Sequence, residues 1–165
     1  MDNLIFKEIE NIIDREIDNY EKIEKLYLDK RDILVKGDIL NLESIDSKIV
    51  DQYNRIKSIS EVRKNLSEKL SDKDLNLSEI ISLAKKEKYN NIEKFHLQQL
   101  KLQQLAKNIQ IQERNNFQLI QKGLNIVNQT IKIILDNIQV NNSEYNHCGR
   151  SQKNNIEISS IVEEV

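Results

Sequence analysis

Not one of the 165 residues is proline. Ordinary usage of about 5% would supply several, and each would remove a backbone donor and clash with the preceding turn. The commonest helix breaker is therefore missing over the whole length. Only three glycines occur, Gly37, Gly123 and Gly149, too few for the turns of a multi-stranded sheet. A chain with these omissions is directed towards long helices, and its apolar residues fall where long helices need them.

Ile5, Ile9, Ile12, Tyr20, Ile23, Tyr27 and Leu34 recur mostly at steps of three, four or seven, with Ile13 and Ile17 widening the stripe. Acid-before-base pairs four apart, Asp18 with Lys22 and Glu21 with Lys25, mark the opposite, solvated face. The pattern stops at Val35-Lys36-Gly37-Asp38: a cation in a last turn, a glycine able to adopt the left-handed conformation, then an Asp suited to capping the next helix. A second stripe follows through Ile39, Leu42, Ile45, Ile49, Tyr53 or the neighbouring Gln52, Ile56, Ile59, Leu66 and Leu70, with Arg63 in the seam. Two amphipathic helices of similar length with almost no connection form an antiparallel hairpin.

Ser71-Asp72-Lys73-Asp74 reads as a loop, and Ser78 as the cap of a short helix carrying Ile80, Ile81 and Ala84. Around Lys88-Tyr89-Asn90-Asn91 the periodicity weakens. It resumes over residues 92–138 as Ile92, Phe95, Leu102, Leu105, Ile109, Phe117, Ile120, Leu124, Val127, Ile131, Ile134 and Ile138. A helix of that extent is roughly 70 Å long at 1.5 Å per residue. It must lie along the hairpin, offer a face to a partner, or do both. Its polar positions are rich in amides, among them Gln98, Gln99, Gln103, Gln104, Gln112, Asn115 and Asn116, which cost less to desolvate than ions. Biased codon usage would enrich Asn as well, although not Gln, so the amides alone do not decide.

The expected fold is all-α: an elongated antiparallel hairpin plus a third long helix, a coiled-coil-like three-helix bundle. A helical domain over residues 1–140 and a disordered tail over 141–165 are expected, because residues 141–151 are polar and aperiodic. The last ten residues regain Ile156, Ile158, Ile161, Val162 and Val165, which suits ordering against a partner.

Composition excludes several functions. Twenty-five Lys plus Arg stand against twenty-seven Asp plus Glu, a formal charge of −2, with no basic stripe for nucleic acid. No run of about 18 apolar residues could span a bilayer. Acids near Met1 argue against a secretory leader, and a single cysteine suits a reducing compartment, so the cytoplasm is expected. No phosphate loop, nucleophile elbow or metal-ligand set occurs. His147 and Cys148 are two potential ligands, short of a zinc set, and no metal or cofactor is expected. His96 could carry phosphate in a phosphotransfer domain, but Leu97-Gln98-Gln99-Leu100 after it lacks the Lys and Gly usual at such sites. The carboxylates are expected on exposed helix faces. No enzyme activity is expected. Tyr20, Tyr27 and Tyr53 sit at seam spacing, whereas Tyr145 stands alone in the polar tail as a docking anchor would.

Together these features resemble the FlgN family of flagellar type III export chaperones over residues 4–150. The resemblance rests on the break Lys30-Arg31-Asp32-Ile33-Leu34-Val35-Lys36-Gly37-Asp38 with Leu42, Ile45 and Lys48 after it. It rests also on Asn116-Phe117-Gln118-Leu119-Ile120 with Leu124, and on Tyr145 with Gly149. It implies a cytosolic chaperone that binds the carboxy-terminal amphipathic helix of hook-associated, hook-filament junction proteins and prevents their premature assembly. It further implies delivery to the cytosolic domain of the export gate. Carried across, it makes Asn116, Leu119, Ile120, Leu124, Val127 and Ile131 the substrate-binding candidates and Tyr145 the gate-docking candidate. The alternative is a structural coiled-coil adaptor or a self-associating bundle that buries the same stripe in a homo-oligomer.

Overall fold

The structure is a computed structural model, and it describes residues 2–71 and 73–143. Four helices account for nearly all of them: α1 (Asp2–Lys36), α2 (Ile39–Ser71), α3 (Leu77–Lys86) and α4 (Ile92–Ser143). No strand occurs among the described residues. The chain divides into two compact units, Met1–Ile120 and Gln121–Val165.

In the first unit the Gly37 break forms as its residues dictate. Gly37 has φ +68°, the left-handed region. Its N–H donates to the Leu34 carbonyl at 3.3 Å and that of Asp38 to the Ile33 carbonyl at 3.1 Å, closing the last turn of α1. The Asp38 carboxylate then accepts from the Asn41 side chain at 2.6 Å and, more weakly, from its backbone at 3.4 Å. One helix is closed and the next opened within two residues.

The hairpin packs in two layers. Ile9, Ile12 and Ile13 share a core with Ile59 and Leu66, while Ile23 and Tyr27 share another with Ile49 and Ile56. Early residues of α1 thus meet late residues of α2, which makes the pair antiparallel. Charges repeat the pairing: Lys30 Nζ lies 2.6 Å from Asp46, and Arg63 Nε donates to both Glu16 oxygens at 3.0 and 3.2 Å. Arg63, the polar residue in the second stripe, sits there because Glu16 is buried opposite it.

The connection between α2 and α4 closes one end of the first core. α3 is capped by Asn76 rather than by Ser78. Asn76 Oδ1 accepts from the Glu79 N–H at 3.0 Å, and the Glu79 carboxylate accepts from the Asn76 N–H at 2.7 Å. The spacing Asn-x-x-Glu allows this reciprocal pair, whereas Ser78 has no acid three residues on. The Ser78 hydroxyl instead accepts from Gln99 at 2.8 Å. At the far end of α3, Lys88 takes φ +56° and the Tyr89 N–H donates to the Ala84 carbonyl at 2.9 Å, the same closure as at Gly37. That turn drives Tyr89 into the core against Phe6 and Phe95, with ring centroids 5.3 and 5.6 Å away. Phe6 and Tyr89 therefore belong to the core, although neither lay on an expected stripe. Tyr53, expected in the seam, is exposed, and Gln52 beside it is the more enclosed.

Candidate partner-binding face

Up to Ile120, α4 runs parallel to α1. Lys94 bridges Glu10 and Asp14 at 2.6 and 2.8 Å, Gln98 Nε2 donates to Asp14 at 2.6 Å and to the Glu10 carbonyl at 2.9 Å, and Lys101 pairs with Glu21 at 2.9 Å. Farther along, Asn108 donates to Glu24 at 2.7 Å and Asn116 Nδ2 to the Tyr27 carbonyl at 2.9 Å. Partner numbers rise together, as parallel helices require. The inward row is Phe95, Gln98, Leu102, Leu105, Ile109, Gln112 and Asn116, alternating steps of three and four. Several amides of α4 thus serve contacts inside the chain.

Two carboxylates expected at the surface are buried instead. Glu10 accepts from the Tyr89 hydroxyl at 3.0 Å, from Lys94 at 2.6 Å and from Asn91 at 3.4 Å, and Glu16 is enclosed with Arg63. Each is matched by a cation, and Glu10 by neutral donors as well, which offsets the cost of its burial. Burial, then the hydrogen bond to the Glu10 carboxylate, pushes the Tyr89 phenol up to about 12. The hydrogen bonds that the Lys94 ammonium donates to Asp14 and Glu10 hold its pKa above the ordinary value. Tyr20 and Tyr27 are also raised, chiefly by burial. These groups tie helices together and form no cleft with a nucleophile and a base. His96 is exposed on α4. Among the described residues no group of three His, Cys, Asp or Glu side chains could hold a metal, and no helix is long and apolar enough to cross a membrane.

At the end of the first unit the apolar residues of α4 leave the inward row. Asn116 is buried, at 2% exposure, and Phe117 is open, at 60%, the reverse of what a stripe through Phe117 leads one to expect. Ile120 and Leu119 are half-buried. In the second unit the Phe117 count continues as Leu124, Val127, Ile131, Ile134 and Ile138, each 49–53% exposed. Ile126 and Ile133 stand one position before Val127 and Ile134 and are more exposed still, so the face is wide. Gly123 and Thr130 lie between these two rows, and a methyl group added at Gly123 would meet nothing within 4 Å.

The site residues are therefore divided. Leu124, Val127 and Ile131 share one exposed face; Leu119 and Ile120 are partly covered; Asn116 is engaged with α1; Tyr145 lies outside the described residues. Ile126 and Ile133 belong to the same face and were missed because they fall outside the strict three-four spacing.

A family model described as FlgN protein matches residues 1–153. The chain belongs to the FlgN family. Membership makes it one of a family of flagellar export chaperones. The FlgN match includes Tyr145 and stops before Asn154. No curated protein and no solved structure matches the chain.

Proposed function

We propose that this FlgN-family protein is a cytosolic export chaperone. It seats the carboxy-terminal amphipathic helix of a hook-associated protein on the distal face of α4 and delivers it to the export gate through Tyr145. The observation that carries this reading is the exposed row Leu124, Val127, Ile131, Ile134 and Ile138. Its spacing is that of a helix seam, and an amphipathic helix laid along it would supply the missing side of that seam. Each side chain half-covered by a partner contributes about 1 kcal/mol, so five or more could sustain specific binding once association entropy is met. Hiding this surface on the partner would also keep the partner from assembling early.

The test uses positions that the fold does not bury. Val127→Asp and Ile131→Asp should leave the melting temperature and helix content unchanged while weakening binding of a hook-associated protein by about 100-fold or more in calorimetry, a loss expected for a charge in an apolar seam. Unchanged affinity in both variants would refute the site. The same row fits a second reading, burial against another copy of the chain, because an unbroken three-four repeat is also what a self-associating coil presents. Sedimentation across a concentration series separates the two: a monomer at every concentration eliminates it.

A further inference from the structure

The first turns of α2, next to the Gly37 break, carry two rows of side chains besides the buried Ile45 and Ile49. Ile39, Leu42, Asp46 and Val50 follow at steps of three, four and four, one line along the helix. Ile39 is 78% exposed and Val50 57%, with Leu42 and Asp46 half-buried between them. Glu43, Ser47 and Asp51 make a parallel line at steps of four, and all three are exposed. The two rows line a shallow groove of about 670 Å³, apolar along one side and acidic along the other. Its lining holds three carboxylates and no cation, since Lys48 on the same helix does not reach it. Lys30 of α1 answers one of the three, lying 2.6 Å from Asp46. Glu43 and Asp51 make no ion pair among the described residues, so three acids against one cation leave the groove a charge of −2.

We propose that this groove receives an amphipathic helix of a second protein, one whose apolar stripe is edged with Lys or Arg. Large apolar side chains left in water beside a polar rim mark a contact surface, and Ile39, Leu42 and Val50 offer a partner helix the three-four seam it packs into. The rim selects the partner by charge. Glu43 and Asp51 stand eight positions apart on α2, about 12 Å along its axis. A helix laid along the groove therefore meets both when its cations are two turns apart. A second copy of this chain is disfavoured, because a two-fold contact through this face would set Glu43 and Asp51 against the same two acids. A helix with an acidic edge is repelled in the same way. Charge also separates this groove from the distal face of α4, whose described charges are Lys122, Lys132 and Asp136. The inference uses only α1 and α2 of the first unit, so it stands independently of the chaperone reading.

Two synthetic helical peptides of about 18 residues test it against the full chain by fluorescence anisotropy. Both carry the same leucine stripe, and they differ in having Lys or Glu at edge positions two turns apart. The lysine peptide should bind about tenfold or more tightly than the glutamate peptide, and added salt should narrow the difference. In Glu43→Lys/Asp51→Lys the preference should reverse. In Ile39→Ser/Val50→Ser both peptides should lose about tenfold or more, since charge without the apolar row is not the proposed site. All four positions are exposed, and unchanged helix content and melting temperature confirm that the variants fold. Equal binding of the two peptides, or a preference that survives the charge reversal, overturns the proposal. So does lysine-peptide affinity that persists without Ile39 and Val50, or that falls in Val127→Asp/Ile131→Asp, which would place the peptide on the distal face of α4. Self-association in sedimentation that disappears in Ile39→Ser/Val50→Ser overturns it as well, because a second copy is then the occupant.

Discussion

Tyr89→Phe isolates the contact that joins the α3–α4 connection to α1. The substitution removes one oxygen from a ring that keeps its packing against Phe6 and Phe95. What it deletes is the 3.0 Å hydrogen bond from the phenol to Glu10. A hydrogen bond to a charged group is worth about 1.5–3 kcal/mol when enclosed. Glu10 keeps Lys94 at 2.6 Å, and Lys94 is partly open to water, so the lower end applies, about 1.5 kcal/mol. In a unit of this size that lowers the melting temperature by about 3–6 °C. The pH dependence is the sharper test. The folded phenol ionises at about 12, above its ordinary value of 10.0, so the folded state holds the proton more tightly than the unfolded chain. The stability this contributes is fully present below pH 10 and is lost as pH rises towards 12. Urea melts of wild type and Tyr89→Phe at pH 7, 9, 10 and 11 should therefore converge at the alkaline end. Comparing the two proteins cancels the contributions of Tyr20 and Tyr27, which are also raised. A difference that stays constant from pH 7 to 11 would refute the assignment of that proton to Tyr89.

The other expectations concern the backbone and the inward row. Gly37→Ala meets no steric neighbour but must hold φ +68°, so it should lower stability by about 1 kcal/mol in chemical denaturation, with Gly37→Asn costing less. Lys88→Gly should do the opposite, adding about 0.5–1 kcal/mol, because a side-chain-bearing residue now occupies that left-handed turn. Arg63→Ala strips the buried Glu16 of its cation and should cost about 3 kcal/mol at pH 7, whereas Glu16→Leu with Arg63→Met should recover most of it; a double-mutant cycle by denaturant titration decides.

Where the cause of a structural feature is local, the sequence carries the signal for it. The turn at Gly37 needs a left-handed residue and a following cap, and Lys36-Gly37-Asp38 supplies both within three positions. The same kind of signal stands at Asn76 and Glu79, whose two reciprocal hydrogen bonds outweigh the single cap that Ser78 could offer. Non-local causes were not legible. Glu10 and Glu16 look like any surface acid, since the donors that make their burial tolerable lie 79 and 47 positions away. Arg63 in an apolar stripe was the one visible hint. Phe6 stood one position past Ile5, and periodicity cannot choose between adjacent residues when both fit a broad arc. Tyr89 was hidden because a lysine, not a glycine, makes the turn that carries it inward.

The exchange of places between Asn116 and Phe117 links the fold to the candidate face. An inward row that ended on leucine would bury more apolar surface than one ending on Gln112 and Asn116, and by area alone would be more stable. Asn116 gains a hydrogen bond to the Tyr27 carbonyl, yet its own side-chain oxygen is buried without a partner, as is that of Gln112. The bundle is therefore less tightly sealed at this end than it could be. In return, the apolar residues from Phe117 onward are not drawn into the inward row. Under the proposed function this weaker sealing, at the point where α4 passes from scaffold to exposed face, follows directly, because a row that satisfied its own bundle would have nothing left to offer a partner.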